Sequence, residues 1–167
     1  MLNLHLLEKM QIAAGFIPVN MATAANDGDY VSLKNYGRCA IILFKGAGTA
    51  GEDPVLTLQQ AKDVAGTGMK NLIFDRIDSK QGSDLFAIGT FTKITNSDHD
   101  YTHTDAAENQ AIWVIDVKAE DLDIANGFDC LRATVADVGT GAQLGALMYI
   151  LHEPRHATAP LPSAIAN

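Results

Sequence analysis

HEPRH, His152 to His156, has the form H-E-x-x-H. On a helix, the two histidines would share one face and bind a zinc ion, and Glu153 would serve as the base that activates a metal-bound water. Pro154 sits inside the motif. It disfavours helical geometry at Glu153, and its ring would clash with the carbonyl of a preceding helical turn. The run before it, GALMYIL, Gly145 to Leu151, has the character of a strand. No third ligand follows, because the last 11 residues hold no His, Glu, Asp or Cys. The motif reads as a strand end passing into an extended tail. A metal-dependent hydrolase built on His152, Glu153 and His156 is the weaker alternative.

GAGTAG, Gly46 to Gly51, fits G-x-G-x-x-G and follows the apolar run CAIILF, Cys39 to Phe44. A dinucleotide loop needs its last glycine to open directly into a helix whose N-terminus faces the pyrophosphate. Here Glu52, Asp53 and Pro54 come next. They put negative charge and extended backbone where the phosphates would sit. VLTL, Val55 to Leu58, then alternates like a strand. The expectation is a mobile or partner-facing turn between two strands, with no phosphate in it. A third polar cluster, SDHDYTHTD (Ser97 to Asp105), could hold a hydrated metal, but its spacing fits no calcium loop. There is no G-x-S-x-G nucleophile motif. The residues therefore assign no catalytic group, no cofactor and no metal.

The elements that would carry these stretches are mostly strands. Candidates are Tyr30–Leu33, CAIILF, Leu72–Ile77, Leu85–Ile94, Ala111–Lys118, Phe128–Val135 and Leu144–Leu151. Six apolar residues in a row, as in CAIILF, predict a strand covered on both faces. SKQGSD, TNSDHDYTHTD, IANGFD and DVGTGA are turn signals. Asn3–Ala14 has helical spacing, with Asn3 as cap, Gly15 after its end and Pro18 just beyond. Leu58–Ala65 is a second, short helix candidate. Many short strands with few helices predict a mainly β single domain, a β-sandwich or jelly-roll-like fold over residues 1–152. A short N-terminal helix lies within residues 1–15. Residues 153–167, with Pro154, Pro160 and Pro162, form an extended C-terminal arm.

Composition narrows the function. The 167 residues fit one domain, and 12 basic against 20 acidic side chains give a net charge of -8. That charge repels phosphates and argues against nucleic acid as a partner. No apolar stretch reaches the 18 residues of a membrane span, so no membrane partner is expected. The N-terminus lacks a basic leader and reads as mature protein made and assembled inside a cell. Cys39 and Cys130 lie in apolar runs and are expected as buried thiols.

DPVLTLQQAKDVAGTGMKNL, QAIWVIDVKAEDLD, GFDCLRATVADVG and LGALMYILHEPRHATAPLPSAI together resemble a family of small virion proteins of tailed bacteriophages. The resemblance is one of overall pattern and spans the chain. It implies a capsid decoration, or cement, protein on the virion surface, made in the host cytoplasm, with the major capsid protein as partner. It also implies self-association as a homodimer or homotrimer. A neck or tail component is the alternative within the same class, and no catalytic residues come with the resemblance. The apolar ends suit such a protein: Leu4 and Leu7 on the N-terminal segment, and Leu161, Pro162 and Ile165 on the arm, are the expected partner-binding residues.

Overall fold

Along Gln110–Lys118 (β10), Ala111, Trp113, Ile115 and Val117 are buried, while the residues between them are not. That period of two is the signature of a strand with one face on a core. The computed structural model describes residues 5–156 and 160–166. Among the described residues strand accounts for 45% and helical turns for 6%, so the protein is mainly β.

Two antiparallel sheets are present. The first is six-stranded. It runs in the order β1 (Met10–Asn20), β12 (Leu144–Pro154), β4 (Tyr36–Lys45), β10, β7 (Arg76–Gly82) and β8 (Thr92–Thr95). The second has the order β2 (Asn26–Asp27), β11 (Cys130–Val135), β5 (Leu56–Ala61) and β6 (Lys70–Asn71). To it are added β3 (Val31–Ser32), which pairs with β11, and β9 (Asp100–Tyr101), which pairs with β5.

Both sheets feed one interior. Ile41, Leu43, Trp113, Leu147 and Tyr149 come from the first sheet, and Leu56, Leu58, Leu131 and Val135 from the second. Two side chains tie the layers together. The Ala133 amide of β11 donates to the Tyr149 hydroxyl of β12 at 3.0 Å. The Tyr101 ring meets the Trp113 ring edge-on, with centroids 4.8 Å apart, a favoured aromatic geometry. Cys39 and Cys130 are buried, as their apolar surroundings predict, and neither is in a disulfide.

Several sequence expectations are corrected. The stretch expected as an N-terminal helix is a 3-10 turn, Leu6–Glu8, followed by strand β1. Helical spacing of its leucines is outweighed by the long pairing of β1 with β12, from Met10 opposite His152 to Asn20 opposite Leu144. Gly15 is no helix cap. It stands where an added Cβ would lie 2.4 Å from Leu147, so the close approach of β1 to the core requires glycine. Pro18 is tolerated because β1 is an edge strand. Leu58–Ala65 is also no helix. Leu56, Leu58 and Gln60 point inward from β5, and the chain then turns about Asp63, whose carboxylate accepts the Ala65 and Thr67 amides.

Of the strand expected over Leu72–Ile77, only Arg76 onward is strand, although Leu72 and Phe74 are buried. Of the strand expected over Leu85–Ile94, only Thr92 onward is strand. SKQGSD begins as strand, because Ser79 and Gln81 face inward from β7.

The C-terminal arm folds back on its own domain. Leu161 and Ala164 are buried in the shared core. The Tyr36 hydroxyl donates to the Pro162 carbonyl, and the Ser32 amide donates to the Ala164 carbonyl at 2.7 Å. Leu161→Ala is therefore expected to destabilise the isolated chain by about 2–3 kcal/mol, as for other buried leucines. Urea unfolding of the two proteins measures it, and an unchanged midpoint would show that the arm does not contribute to the core.

Candidate assembly surface

Pleating gives the first sheet a second face, directed away from the shared core. Register sets its rows. Ala14, Met148, Ile42 and Val114 lie side by side across β1, β12, β4 and β10. The row on one side is Ile12, Ile150, Ala40 and Asp116; the row on the other is Ala146, Phe44 and Ile112. Leu144 closes the far end. Leu144 is 63% exposed, Phe44 56%, Ile12 43% and Met148 40%. Large side chains this exposed on contiguous strands form an apolar surface that isolated surface residues do not.

Charges border this surface rather than interrupt it. At one end Arg38 reaches Asp116 through two nitrogens, at 3.0 and 2.7 Å, and His152 Nε2 lies 3.3 Å from the other Asp116 oxygen. On the β7 side Arg76 pairs with Asp78 at 2.7 Å. Between them lies an open groove of about 790 Å³, lined by residues that include Arg38, Phe74, Asn96 and Asp116. All of these ion pairs are partly solvated, so they orient the rim more than they stabilise it.

Lys80 continues the Ala146–Phe44–Ile112 row onto β7 and lies 4.8 Å from the Phe91 ring centroid. Phe91 belongs to the loop 83–91, where Phe86 is 99% exposed. This loop has its own bracing: Asp84 accepts the Phe86 amide at 2.9 Å, and Gln110 accepts the Leu85 amide at 3.3 Å.

The stretches that resembled enzyme motifs are used otherwise. His152 to Pro154 lie in β12, so His152 and His156 share no helical face. Glu153 has φ 55°, the left-handed region, between the His152–Arg38 and Pro154–Tyr36 pairs of β12 and β4. In SDHDYTHTD, His99 contacts Asp98 at 2.6 Å, while His103 faces Gln81 at 3.0 Å. The Trp113 indole donates to Gln81 Oε1, which orients the Gln81 amide to donate to His103 Nδ1. Among the described residues no three His, Cys, Asp or Glu side chains converge as metal ligands.

GAGTAG is a turn between β4 and β5, but an anchored one. Gly46 and Gly48 donate to the Leu144 and Ala107 carbonyls. Glu52 accepts the Thr140 and Gly141 amides, and Asp53 accepts the Ala107 amide. Of the expected mobile or partner-facing turn, residues 47 and 49–51 are exposed, while the carboxylates that follow hold the loop against two neighbouring loops.

Of the residues expected to bind partners, Leu4 lies outside the described residues. Leu7 and Ile165 are each 61% exposed, whereas Leu161 is buried in its own core and the Pro162 carbonyl is bonded to Tyr36. The large exposed residues of the sheet were not singled out from sequence. For Phe44 the signal was the unbroken run CAIILF, which an uncovered face and a covered one produce alike.

Beside the anchored loop, Lys45 at the end of β4 points inward and is buried. Its ammonium donates to the Ala106 carbonyl, and to the Asn109 carbonyl at 2.7 Å. Gln143, also buried, donates to the Ala107 carbonyl at 3.2 Å. Comparison with protein-family models, with curated proteins and with solved structures finds no match for this chain.

Burial pulls the pKa of Lys45 from 10.5 down to about 8, against the opposing pull of Asp53 and Glu108. Between these values the unfolded chain binds the extra proton, so stability contributed at this site rises with pH. The stability difference between wild type and Lys45→Met should therefore grow in favour of wild type by up to about 1.4 kcal/mol per pH unit between about pH 8 and 10. Denaturant unfolding across that range tests it, and a flat difference would mean that Lys45 is not held as described.

Proposed function

We propose that this chain is a structural protein of a tailed-bacteriophage particle, a capsid decoration protein that binds the major capsid shell across subunit borders and stabilises it. The observation that carries this reading is the uncovered apolar face of the first sheet, continued through Lys80 and Phe91 to the exposed Phe86 loop. Such a surface on a folded β protein is one that another macromolecule covers. The resemblance of the sequence to small virion proteins supplies the setting. Two antiparallel sheets with a shared interior also suit a jelly-roll-like sandwich, a layout that leaves two outer faces for contacts.

The mechanism is linkage. A protein that binds only the assembled, expanded shell lowers the free energy of that state. Repetition over a symmetric lattice multiplies a modest contact. The net charge of -8 keeps such a protein off packaged DNA and on the outer surface.

Peptide mass spectrometry of purified particles should find the chain at a copy number comparable to that of the shell protein. Absence would end the virion reading, and a few copies per particle would move it to the neck or tail. Phe86 is nearly fully exposed, so Phe86→Asp should leave the thermal midpoint unchanged while weakening attachment to undecorated expanded shells by at least about tenfold, the scale of an aromatic contact residue. Attachment at wild-type strength would remove the loop from the contact.

A further inference from the structure

We propose that a break in the first sheet is a slot for an extended peptide, which adds as a short strand to the free edge of β10 and carries basic side chains alternating with aliphatic ones. This goes beyond the apolar outer face, because it concerns a gap between two strands of the sheet and does not depend on the virion setting. β10 pairs with β4 from Ala111 to Lys118, but its pairing with β7 stops at Val114 opposite Asp78. The next rung on that side would join Asp116 to Arg76.

The alternation of an antiparallel ladder sets which backbone groups are left open. The Gly46 amide donates to the Leu144 carbonyl. Even-numbered residues of β4, from Arg38 on, therefore bond to β12, and odd-numbered ones to β10. It follows that the even-numbered residues of β10 aim their N–H and C=O groups at β7. The Lys118 amide is taken up by the Asp121 carboxylate at 3.0 Å. Asp116 is left facing the open rung. Asp116 and Arg76 both line the groove of about 790 Å³, so the strands have parted there. The parting is built in, because the chain before Arg76 is fastened to the second sheet. Asn71 pairs with Gln59, the Leu72 amide donates to the Leu58 carbonyl at 3.0 Å, and the Phe74 amide donates to the Asp98 carbonyl at 3.2 Å.

Phe74, Ile115 and Val117 give the groove an apolar lining, and Ile73, 66% exposed, adds to it. A strand edge with free main-chain groups beside an apolar lining is what strand addition uses: backbone hydrogen bonds give affinity, and alternate side chains enter the pocket. Charge decides the remaining side chains. Arg38 is paired with Asp116, Arg76 with Asp78 and Lys118 with Glu120. Asp75 and Asp121 also line the groove and are exposed, and neither has an ion-pair partner among the described residues. The uncompensated charge is negative, as is the net charge of -8, so it is matched by cationic side chains on the occupant. Directly opposed residues of neighbouring strands share a face of the sheet. The Asp116 side chain points outward, so the residues bonded to its backbone are the outward, basic ones.

The probe is a fluorescein-labelled peptide, Lys-Val-Lys-Val-Lys with blocked ends, titrated with the full chain and followed by anisotropy. It should bind at least about tenfold more tightly than the same peptide with Glu in place of Lys. N-methylation of its lysine amides removes the donors to β10 and leaves the charge, and should cost at least about tenfold. Bound probe should slow hydrogen exchange of the Asp116 amide by at least about tenfold. Asp75→Lys should weaken the probe by about tenfold with an unchanged thermal midpoint. Absence of binding up to about 1 mM, equal binding of the N-methylated peptide, or unchanged exchange at Asp116 would each overturn the slot. Unchanged affinity in D75K would overturn the choice of a basic occupant. None of these measurements uses particles, so their outcome is separate from that of the virion reading.

Discussion

Strand β4 pairs with β10 on one side and β12 on the other, from Arg38 to Lys45, without a slipped residue. Everything else about the molecule hangs on that register. A shift of one residue would exchange the two faces of the sheet: Ile41 and Leu43 would turn outward, and Ile42 and Phe44 would turn into the core. Both sets are apolar, so hydrophobicity alone discriminates poorly between the two registers. Lys45 supplies the discrimination. In the native register its ammonium is buried and bonded to the Ala106 and Asn109 carbonyls. In the slipped register those carbonyls would lose their donor, and unpaired buried polar groups are costly.

The charge buried at Lys45 is tolerated because a loop was shaped to receive it. Residues 106–109 present two carbonyls to Lys45 and a third, from Ala107, to both the Gly48 amide and the Gln143 side chain. Asp53 holds the Ala107 amide from the other direction. The end of β4, the turn after it and the approach to β10 are thus one polar assembly. It fixes where the central strands begin, and so which side chains appear on the outer face.

How far this was legible in the sequence depended on what decides each element. β10 and β11 were legible because burial on one face imposes alternation, as in LRATV. β1 was not: Asn3–Ala14 satisfies helical spacing locally, and only the distant β12, over a hundred residues later, makes the chain from Met10 onward a strand. Local pattern carries no term for such a partner. Leu58–Ala65 failed for the same reason, with β11 as the missing neighbour. The outer face was half legible. CAIILF announced a strand with two apolar faces, but an uncovered second face looks in sequence like one covered by the same chain.

GAGTAGEDP shows how a motif can keep its letters and lose its chemistry. In a phosphate loop, backbone amides converge on a bound anion. Here amides do converge on anions, but the anions are Glu52 and Asp53 of the loop itself, and the amides belong to Thr140, Gly141 and Ala107. Thr140 and Gly141 hold the Glu52 carboxylate below its usual pKa, the direction expected when a carboxylate accepts backbone donors. Gly51, at φ 82°, turns the chain so that both acids can reach. The two carboxylates that made nucleotide binding implausible in the sequence are thus the groups that fasten this turn, and through the turn they hold the end of the strand on which the outer face depends.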